Sequence, residues 1–574
     1  MPADPATDAA LSIDARLRDA IAARASAAAG LEVDPATVAL TLPKQAGHGD
    51  QATNIAMVLA KRAGKNPREL ATQITEGLAE DLGDRLAKIE VAGPGFINLT
   101  FGDPLLREAL AAVAGAGRAW GGGTAALTER VNVEFVSANP TGPMHIGHAR
   151  NAAYGDATAR LMAFHGHEVE REYYVNDFGS QVKNLGVSIS ARARGEEVPE
   201  GGYQGEYVTE LAESIPGAAE QSVEELSALG VEAMLERARR TLDRFGVHFD
   251  RFFSERSLHE PAADGGPSAL DRALEIVKGN GELIERDGAW WLQTEKRGDD
   301  KDRVVIRATG EPTYYASDLA YMRDKHDRGY DRQLLVLGAD HHGYIGRMRA
   351  AFEAFGGDPE HLELLIMQLV NLVANGEPVK MSKRAGQFVT LDDLVDFVGV
   401  DAARWYLLQR SHDTAVELDV ELARKESSEN PVYYVQYAHA RCCSVLDRVS
   451  SSARALADGL ATDPAVLLGL AAPIEDAERA LILRLGEFPT EVAVAADRRA
   501  PHRIATYALE LSQTFTAFYR DCKIAGAEGD GVEAWRAALT LATRDTLATA
   551  LELLGVSAPE RMERRDEEPA AEAA

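Results

Sequence analysis

The stretch Ser137-Ala138-Asn139-Pro140-Thr141-Gly142-Pro143-Met144-His145-Ile146-Gly147-His148 decides the fold around it. Before it, Val131-Asn132-Val133-Glu134-Phe135-Val136 reads as a β-strand, and after it His148 to Phe164 reads as a helix. Glu168 to Val175 then reads as a second strand, which makes a βαβ unit and implies a parallel sheet. A strand that feeds a helix N-terminus creates an anion site, because free backbone N–H groups and the helix dipole both favour phosphate. Gly142 and Gly147 allow close backbone approach, and His145 and His148 add two imidazole donors at the helix start. Such donors can stabilise charge that builds on a phosphate in a transition state. The alternatives are a helix-capping pair or a zinc site, and the zinc site lacks a third ligand nearby in sequence.

Further along, Asn375-Gly376-Glu377-Pro378-Val379-Lys380-Met381-Ser382-Lys383-Arg384-Ala385-Gly386 follows an apolar run, Leu364 to Val373, that reads as one strand. Three cations and a hydroxyl within five residues suit a polyphosphate, and the Gly and Pro residues around them make a mobile loop. Such a loop can close on departing pyrophosphate.

Outward from these two loops the chain divides. Residues 1–118 read as an α+β domain, with a helix over 11–28, a turn and strand from Val91 to Thr100 and a helix from Pro104 to Ala114. Gly121-Gly122-Gly123 is the linker signal. Residues 124–422 read as an α/β domain in which Arg303 to Arg307 and Leu334 to Gly338 resume the sheet after a largely helical insertion over about 185–300. Residues 423–562 are all helical, with breaks at Asp463-Pro464 and Ala500-Pro501, and 563–574 form an acidic tail.

Composition narrows the class. The 574 residues carry a net charge of −29, which excludes a protein that coats nucleic acid nonspecifically and leaves room for local basic patches. Cys442, Cys443 and Cys522 form no CxxC pair, so neither a structural zinc nor a disulfide framework is expected, and a reducing cytoplasm fits. Without a basic n-region or apolar h-region at the start of the sequence, no signal peptide is expected, and no apolar stretch reaches the length of a membrane span.

The two loops together, in this order, resemble the signature motifs of class I aminoacyl-tRNA synthetases. The surrounding residues are similar to the arginyl-tRNA synthetase family: Val133-Glu134-Phe135 and Ser137 to Pro143, Arg171 to Gly179, Tyr314-Tyr315-Ala316-Ser317-Asp318, and Gly338 to Tyr344. Gly47 to Asn54, Gly93 to Asn98, Gln436 to Arg441 and Glu560-Arg561-Met562 extend the likeness to both ends. The signature loop departs from the general class pattern at Arg384, which stands where Ser is usual.

The resemblance implies a Rossmann-like catalytic domain between an α+β N-terminal domain that touches the tRNA elbow and an all-α anticodon-binding domain. It implies that ATP and arginine give arginyl-adenylate, which then esterifies the terminal adenosine of tRNA-Arg. His145, His148, Lys380 and Lys383 would act on the phosphates, with Gly142, Gly147, Met381 and Ser382 completing the ATP site. Mg²⁺ would arrive with ATP, and no zinc or membrane partner is implied. Glu134 and Asp318 would take the guanidinium with Tyr314 packed on its plane, since a permanently charged fork needs carboxylates. Ser137 and Asn139 would hold the amino and carboxylate end, with Asp340 and His341 as further candidates. For Asp318 alone, a helix cap is the alternative. Tyr434, Tyr437, Arg498, Arg499 and Arg503 are candidate tRNA contacts, and the family expectation is a monomer. The gap between the motifs is too short for a large editing domain, which a charged pocket needs less than an apolar one. A small-molecule nucleotidyltransferase would not explain the helical C-terminal domain, and a catalytically dead paralogue would not keep both His and both Lys.

Overall fold

A computed structural model describes residues 13–41, 43, 47–374, 376–378 and 390–562 of the chain. At its start, helices α1 (Ile13–Ala29), α2 (Ile55–Ala63) and α3 (Pro67–Leu82) accompany a small antiparallel sheet. The sheet has β1 (Gln51–Thr53), β2 (Leu86–Ala92) and β3 (Phe96–Phe101) in the order β1-β3-β2. The turn and strand expected over Val91 to Thr100 are thus the second half of a hairpin. Helix α3 begins where it does because the Asn66 side chain accepts from the Arg68 N–H at 2.9 Å, and Pro67 needs no N–H partner in the first turn.

Helix α4 (Asp103–Ala116) leads to the triple glycine, which is packed rather than loose. A Cβ at Gly121 would lie 3.0 Å from the Phe488 ring, and one at Gly122 would lie 2.9 Å from Phe164. The chain passes between two aromatic rings, and only glycine is thin enough to do so.

Beyond it lies the sheet that positions the site: β4 (Arg130–Glu134), β5 (Glu168–Val175), β6 (Arg251–Ser254), β10 (Arg332–Gly338) and β11 (Leu362–Met367). All pairs are parallel, in the order β11-β10-β4-β5-β6. The chain builds outward from β4 to β6, then returns to the other flank of β4 as β10. The crevice outside the C-terminal ends of β4 and β10 is therefore the topological switch point, where sheets of this kind bind ligands. Side chains alternate between two cores. Val131, Val133 and Leu334 face a core continuous with the helical domain, while Leu335, Tyr174 and Phe253 face a second one. Helix α5 (Gly147–His165) joins β4 to β5 on the first face.

Three sequence expectations are corrected here. The largely helical insertion does not leave the sheet for its whole length. Helices α6 (Ser180–Ala193), α7 (Glu206–Ser214) and α8 (Val223–Arg244) share a core of their own, but β6 then rejoins the sheet as its edge strand. Next, Arg303 to Arg307 does not resume the sheet. After α9 (Ala269–Gly279), β7 (Leu283–Arg286), β8 (Ala289–Leu292) and β9 (Arg303–Ile306) form a separate antiparallel ribbon. Its first turn is the dipeptide Asp287-Gly288, with φ of 52° and 76°, and two positive angles in a two-residue loop twist the chain straight back.

Helices α10 (Tyr314–Asp327) and α11 (Ile345–Ala354) follow on either side of β10. Leu364 to Val373 is then two strands, not one. β11 ends at Met367, and β12 (Val370–Ala374) pairs instead with β13 (Glu377–Pro378) and β14 (Val416–Asp419). The break is pinned from α5, where the buried Arg150 guanidinium donates to the carbonyls of Gln368 at 2.8 Å and Ser411 at 2.7 Å.

Helices α12 (Leu391–Val398) and α13 (Val400–Leu408) lead to the helical domain: α14 (Pro431–Leu446), α15 (Ser451–Gly459), α16 (Asp476–Gly486), α17 (Phe488–Asp497), α18 (His502–Asp521) and α19 (Val532–Leu553). Arg404, fully buried on α13, joins three elements at once. It donates to the Leu554 carbonyl at 2.9 Å, the Phe245 carbonyl at 3.1 Å and the Asp156 carboxylate of α5 at 2.6 Å. The helical domain is thereby fastened to the helix that starts at the site. Among the described residues, no helix is long and apolar enough to cross a membrane.

Candidate active site

The C-terminal end of β4 does not continue to Val136 as a strand. The strand stops at Glu134, and Val136 and Ser137 take φ of 67° and 42°. The Ser137 N–H donates to the Phe135 carbonyl at 2.9 Å, closing a three-residue turn of the rare positive-φ kind. The turn brings the Ser137 hydroxyl back to Glu134, to which it donates at 3.0 Å, while accepting from the Tyr174 N–H at 3.1 Å. Ser137 is thus committed to the protein, and its part in the site is to hold Glu134. The second oxygen of Glu134 accepts from the buried Lys325 ammonium at 2.6 Å. Lys325 also lies 3.8 Å from Glu172, which in turn pairs with Arg328 at 2.6 Å.

Above this layer lies a cleft of about 1050 Å³, bordered by Glu134, Asn139, His145, His148, Tyr314 and Asp318 among others. At its helix end the two imidazoles stand 3.9 Å apart, centroid to centroid. The His145 Nδ1 accepts from the Gly147 N–H at 3.0 Å, which leaves the proton on Nε2 as a donor. A side chain at position 147 would displace the His145 ring, since a Cβ would lie 2.6 Å from it. The glycine therefore serves His145 first. Burial, and then the neighbouring His145, push His148 down to about 4, and its Nδ1 is buried without a partner. Gly142 lies aside, 3.3 Å from the Tyr207 hydroxyl by its Cβ position, and does not border the cleft.

At the other end, Thr313 caps α10, so Asp318 is a residue within the helix and not its cap. Burial pushes Asp318 up to about 7, with Glu134 adding to the rise and the Tyr344 hydroxyl, at 3.3 Å, opposing it. Tyr314, in the first turn of α10, is 62 % exposed and offers an open ring face. Asp340 and His341 belong to the 3-10 turn Ala339–Tyr344, but their side chains fall outside the described residues.

Lys380, Met381, Ser382, Lys383 and Arg384 also fall outside the described residues. Their flanks are tied to the site. Pro378 pairs with Val373 of β12, and Thr390 bridges His145 while the Leu391 N–H donates to the Met144 carbonyl at 2.9 Å.

Comparison with known proteins matches this geometry to a family. The arginyl tRNA synthetase N terminal domain matches residues 15–101; the catalytic domain of class I tRNA synthetases (R) matches 118–204 and 220–431; and the DALR anticodon binding domain matches 435–562. The arginine–tRNA ligase of Kineococcus radiotolerans is 46 % identical over 566 residues, covering 96 % of this chain and 99 % of the relative. The chain belongs to the arginyl-tRNA synthetase family.

Solved structures agree with that membership. A protein described as an arginyl-tRNA synthetase of Campylobacter jejuni is 33 % identical with a TM-score of 0.71, over 80 % of this chain and 99 % of its own. The arginyl-tRNA synthetase of Thermus thermophilus shares the fold, with a TM-score of 0.73 over 96 % of this chain and 100 % of its own at 22 % identity.

Among this synthetase's candidate tRNA contacts, the basic cluster needs correction. Arg498 is exposed, but Arg499 is buried. Its φ of 52° turns it inward, where it forms a two-pronged pair with Glu363 at 2.9 and 3.0 Å. Arg503 pairs likewise with Glu491. Tyr434 donates to Thr516 at 3.0 Å, and Tyr437 stacks under the Arg441 guanidinium at 4.6 Å.

The sequence reading missed Lys325, Arg150 and Asn151. A signal for Lys325 did exist: Tyr314, Asp318, Tyr321 and Lys325 recur at helical spacing and mark one polar face on α10. Asn151 and Arg150 carry no such mark.

Proposed function

We propose that this cleft forms arginyl-adenylate from L-arginine and ATP and passes the arginyl group to the terminal adenosine of tRNA-Arg. Joining arginine to tRNA with ATP is the activity of the family to which the chain belongs. In the first step the arginine carboxylate attacks the α-phosphorus and the bond to pyrophosphate breaks. No enzyme nucleophile takes part, so positioning and charge stabilisation carry the rate.

The observation that supports this assignment is the polarity of the cleft. Carboxylates and an open tyrosine face border one end, and two imidazole donors at a helix N-terminus border the other. Asp318 and Glu134 take the guanidinium, Tyr314 covers its plane, and Asn139 lies toward the amino and carboxylate end. His145 and His148 donate to the phosphates, and Lys380 and Lys383 take the pyrophosphate. Mg²⁺ enters as the ATP complex, held by phosphate and water. The helical domain reads the anticodon, with Tyr437 and Arg498 as contacts, and the N-terminal domain meets the tRNA elbow. The same proposal makes the protein a cytoplasmic monomer; Cys442, Cys443 and Cys522 as free thiols suit a reducing compartment.

The test is charging of bulk tRNA with ATP, Mg²⁺ and each amino acid in turn, read as acid-precipitable label. Charging with arginine alone is expected. Charging with a different amino acid would overturn the roles of Glu134 and Asp318, and no charging at all would overturn the proposal.

A further inference from the structure

The ladder between β4 and β10 ends at the pair Glu134–Leu335. The next rung is not backbone. Asn151, in the second turn of α5 and only 8 % exposed, inserts its amide there. Its Oδ1 accepts from the Val136 N–H at 2.7 Å, and its Nδ2 donates to the Val336 carbonyl at 2.9 Å. One side chain thus satisfies a buried donor on one strand end and an acceptor on the other. It also lets the two strands part where the cleft opens.

Val136 is the residue least suited to its own conformation. A β-branched side chain at φ 67° is a genuine outlier, and it persists only where the surroundings over-determine it. Among the described residues, the Asn151 bond is the one hydrogen bond that reaches the Val136 N–H from outside the turn. Without it that buried N–H has no acceptor, and the strained turn loses its anchor. The turn also sets Ser137, and Ser137 sets Glu134, through the 3.0 Å hydroxyl bond.

We propose that Asn151 is a positioning residue for amino-acid activation: it holds the left-handed turn at Val136, and through it Ser137 and Glu134, in register with the helix that carries His148. Asn151 lies three residues after His148 on the same helix. It therefore links the phosphate end of the cleft to the amino-acid end, where small misplacements are costly to an in-line attack. This inference rests on the arginine-activation reading. The wild-type protein, run in the same assay, tests that reading separately from the variants.

The assay is arginine-dependent ATP–pyrophosphate exchange by the full chain with bulk tRNA present, alongside thermal unfolding. Asn151→Ala should lower kcat/KM for arginine about 10- to 100-fold while KM for ATP stays within about twofold. Adding Val136→Gly should recover at least about tenfold of that loss, because glycine takes positive φ without strain and no longer needs the anchor. Unchanged arginine kinetics in Asn151→Ala would overturn the proposal, and so would a double variant that regains thermal stability without regaining kcat/KM.

Should Asn151→Ala fail to fold, Asn151→Asp decides. When protonated, its carboxyl reproduces the amide pattern, one oxygen accepting from Val136 and one O–H donating to Val336. Its kcat/KM relative to wild type should therefore rise as pH falls from about 8 to about 6. A ratio flat with pH would overturn the proposal.

Discussion

At the helix end of the cleft, burial and a second imidazole push His148 down to about 4; at the far end, burial pushes Asp318 up to about 7. The shifts are opposite, and their consequence is the same. Near neutral pH in the empty protein, His148 is uncharged and Asp318 is close to half protonated. In the proposed reading a phosphate brings negative charge to the first and a guanidinium brings positive charge to the second. Each ligand thus meets groups from which burial has already removed part of the water that would compete for its charge. The two ends differ in what they need. Neutral donors with a helix N-terminus suffice for an anion, whereas a permanent cation calls for a real counter-charge.

The sharpest way to break the comparison is Asp318→Asn. It removes one of the two carboxylates proposed for the cation and should lower kcat/KM for arginine about 10³-fold in pyrophosphate exchange, with KM for ATP nearly unmoved. A comparable loss for ATP would mean the two ends are not independent.

On the other side, His148→Ala should lower kcat about 10²-fold, as loss of a preorganised donor does. His148→Asn, a neutral donor, should retain most of the rate. If asparagine and alanine are equally poor, His148 works as a cation and the symmetry fails.

The pH dependence follows with a definite sign. With Asp318 as the proposed partner of the guanidinium, KM for arginine should rise about tenfold per unit below pH 7 and flatten above it. His148 at about 4 does not titrate there, so KM for ATP should stay flat between about pH 5.5 and pH 8. Because the Asp318 pKa is raised on folding, its favourable contribution to stability is present at low pH and lost as pH rises through about 7. Arginine should therefore raise the thermal midpoint more at pH 8 than at pH 6, by calorimetry or dye binding, an effect of about 1.4 kcal/mol per pH unit at most.

The smallest effect is expected from Gly147→Ala. The added methyl meets the His145 ring at 2.6 Å, but the ring can swing aside, so kcat should fall only about three- to tenfold. No change in kcat would mean that the orientation of His145 is irrelevant to the helix end.

Much of this was legible along the chain because it is local. The strand, Pro/Gly turn and helix from Val131 to Phe164 lie in one stretch, and their order alone points to a phosphate site at a helix N-terminus. The helical C-terminal domain was equally plain, since its period persists for more than a hundred residues. The misreadings have a common cause. Arg303 to Ile306 is apolar enough for either sheet, and the Asp287-Gly288 turn that assigns it to a hairpin precedes it by a whole strand. Arg499 has the composition of an RNA contact, and Glu363, its partner 136 residues away, makes it structural.

The sequence by itself determined the family and the class of site, because a helix N-terminus and its neighbours need only consecutive positions. Tertiary structure decided which partner each of these groups meets. Glu134 meets Lys325 across 191 residues, Asp318 comes beside the Tyr344 hydroxyl, and Asn151 becomes a rung only where two strands part. Burial, ion pairing and strand geometry set those arrangements, and all arise from contacts between distant parts of the chain that no local pattern records.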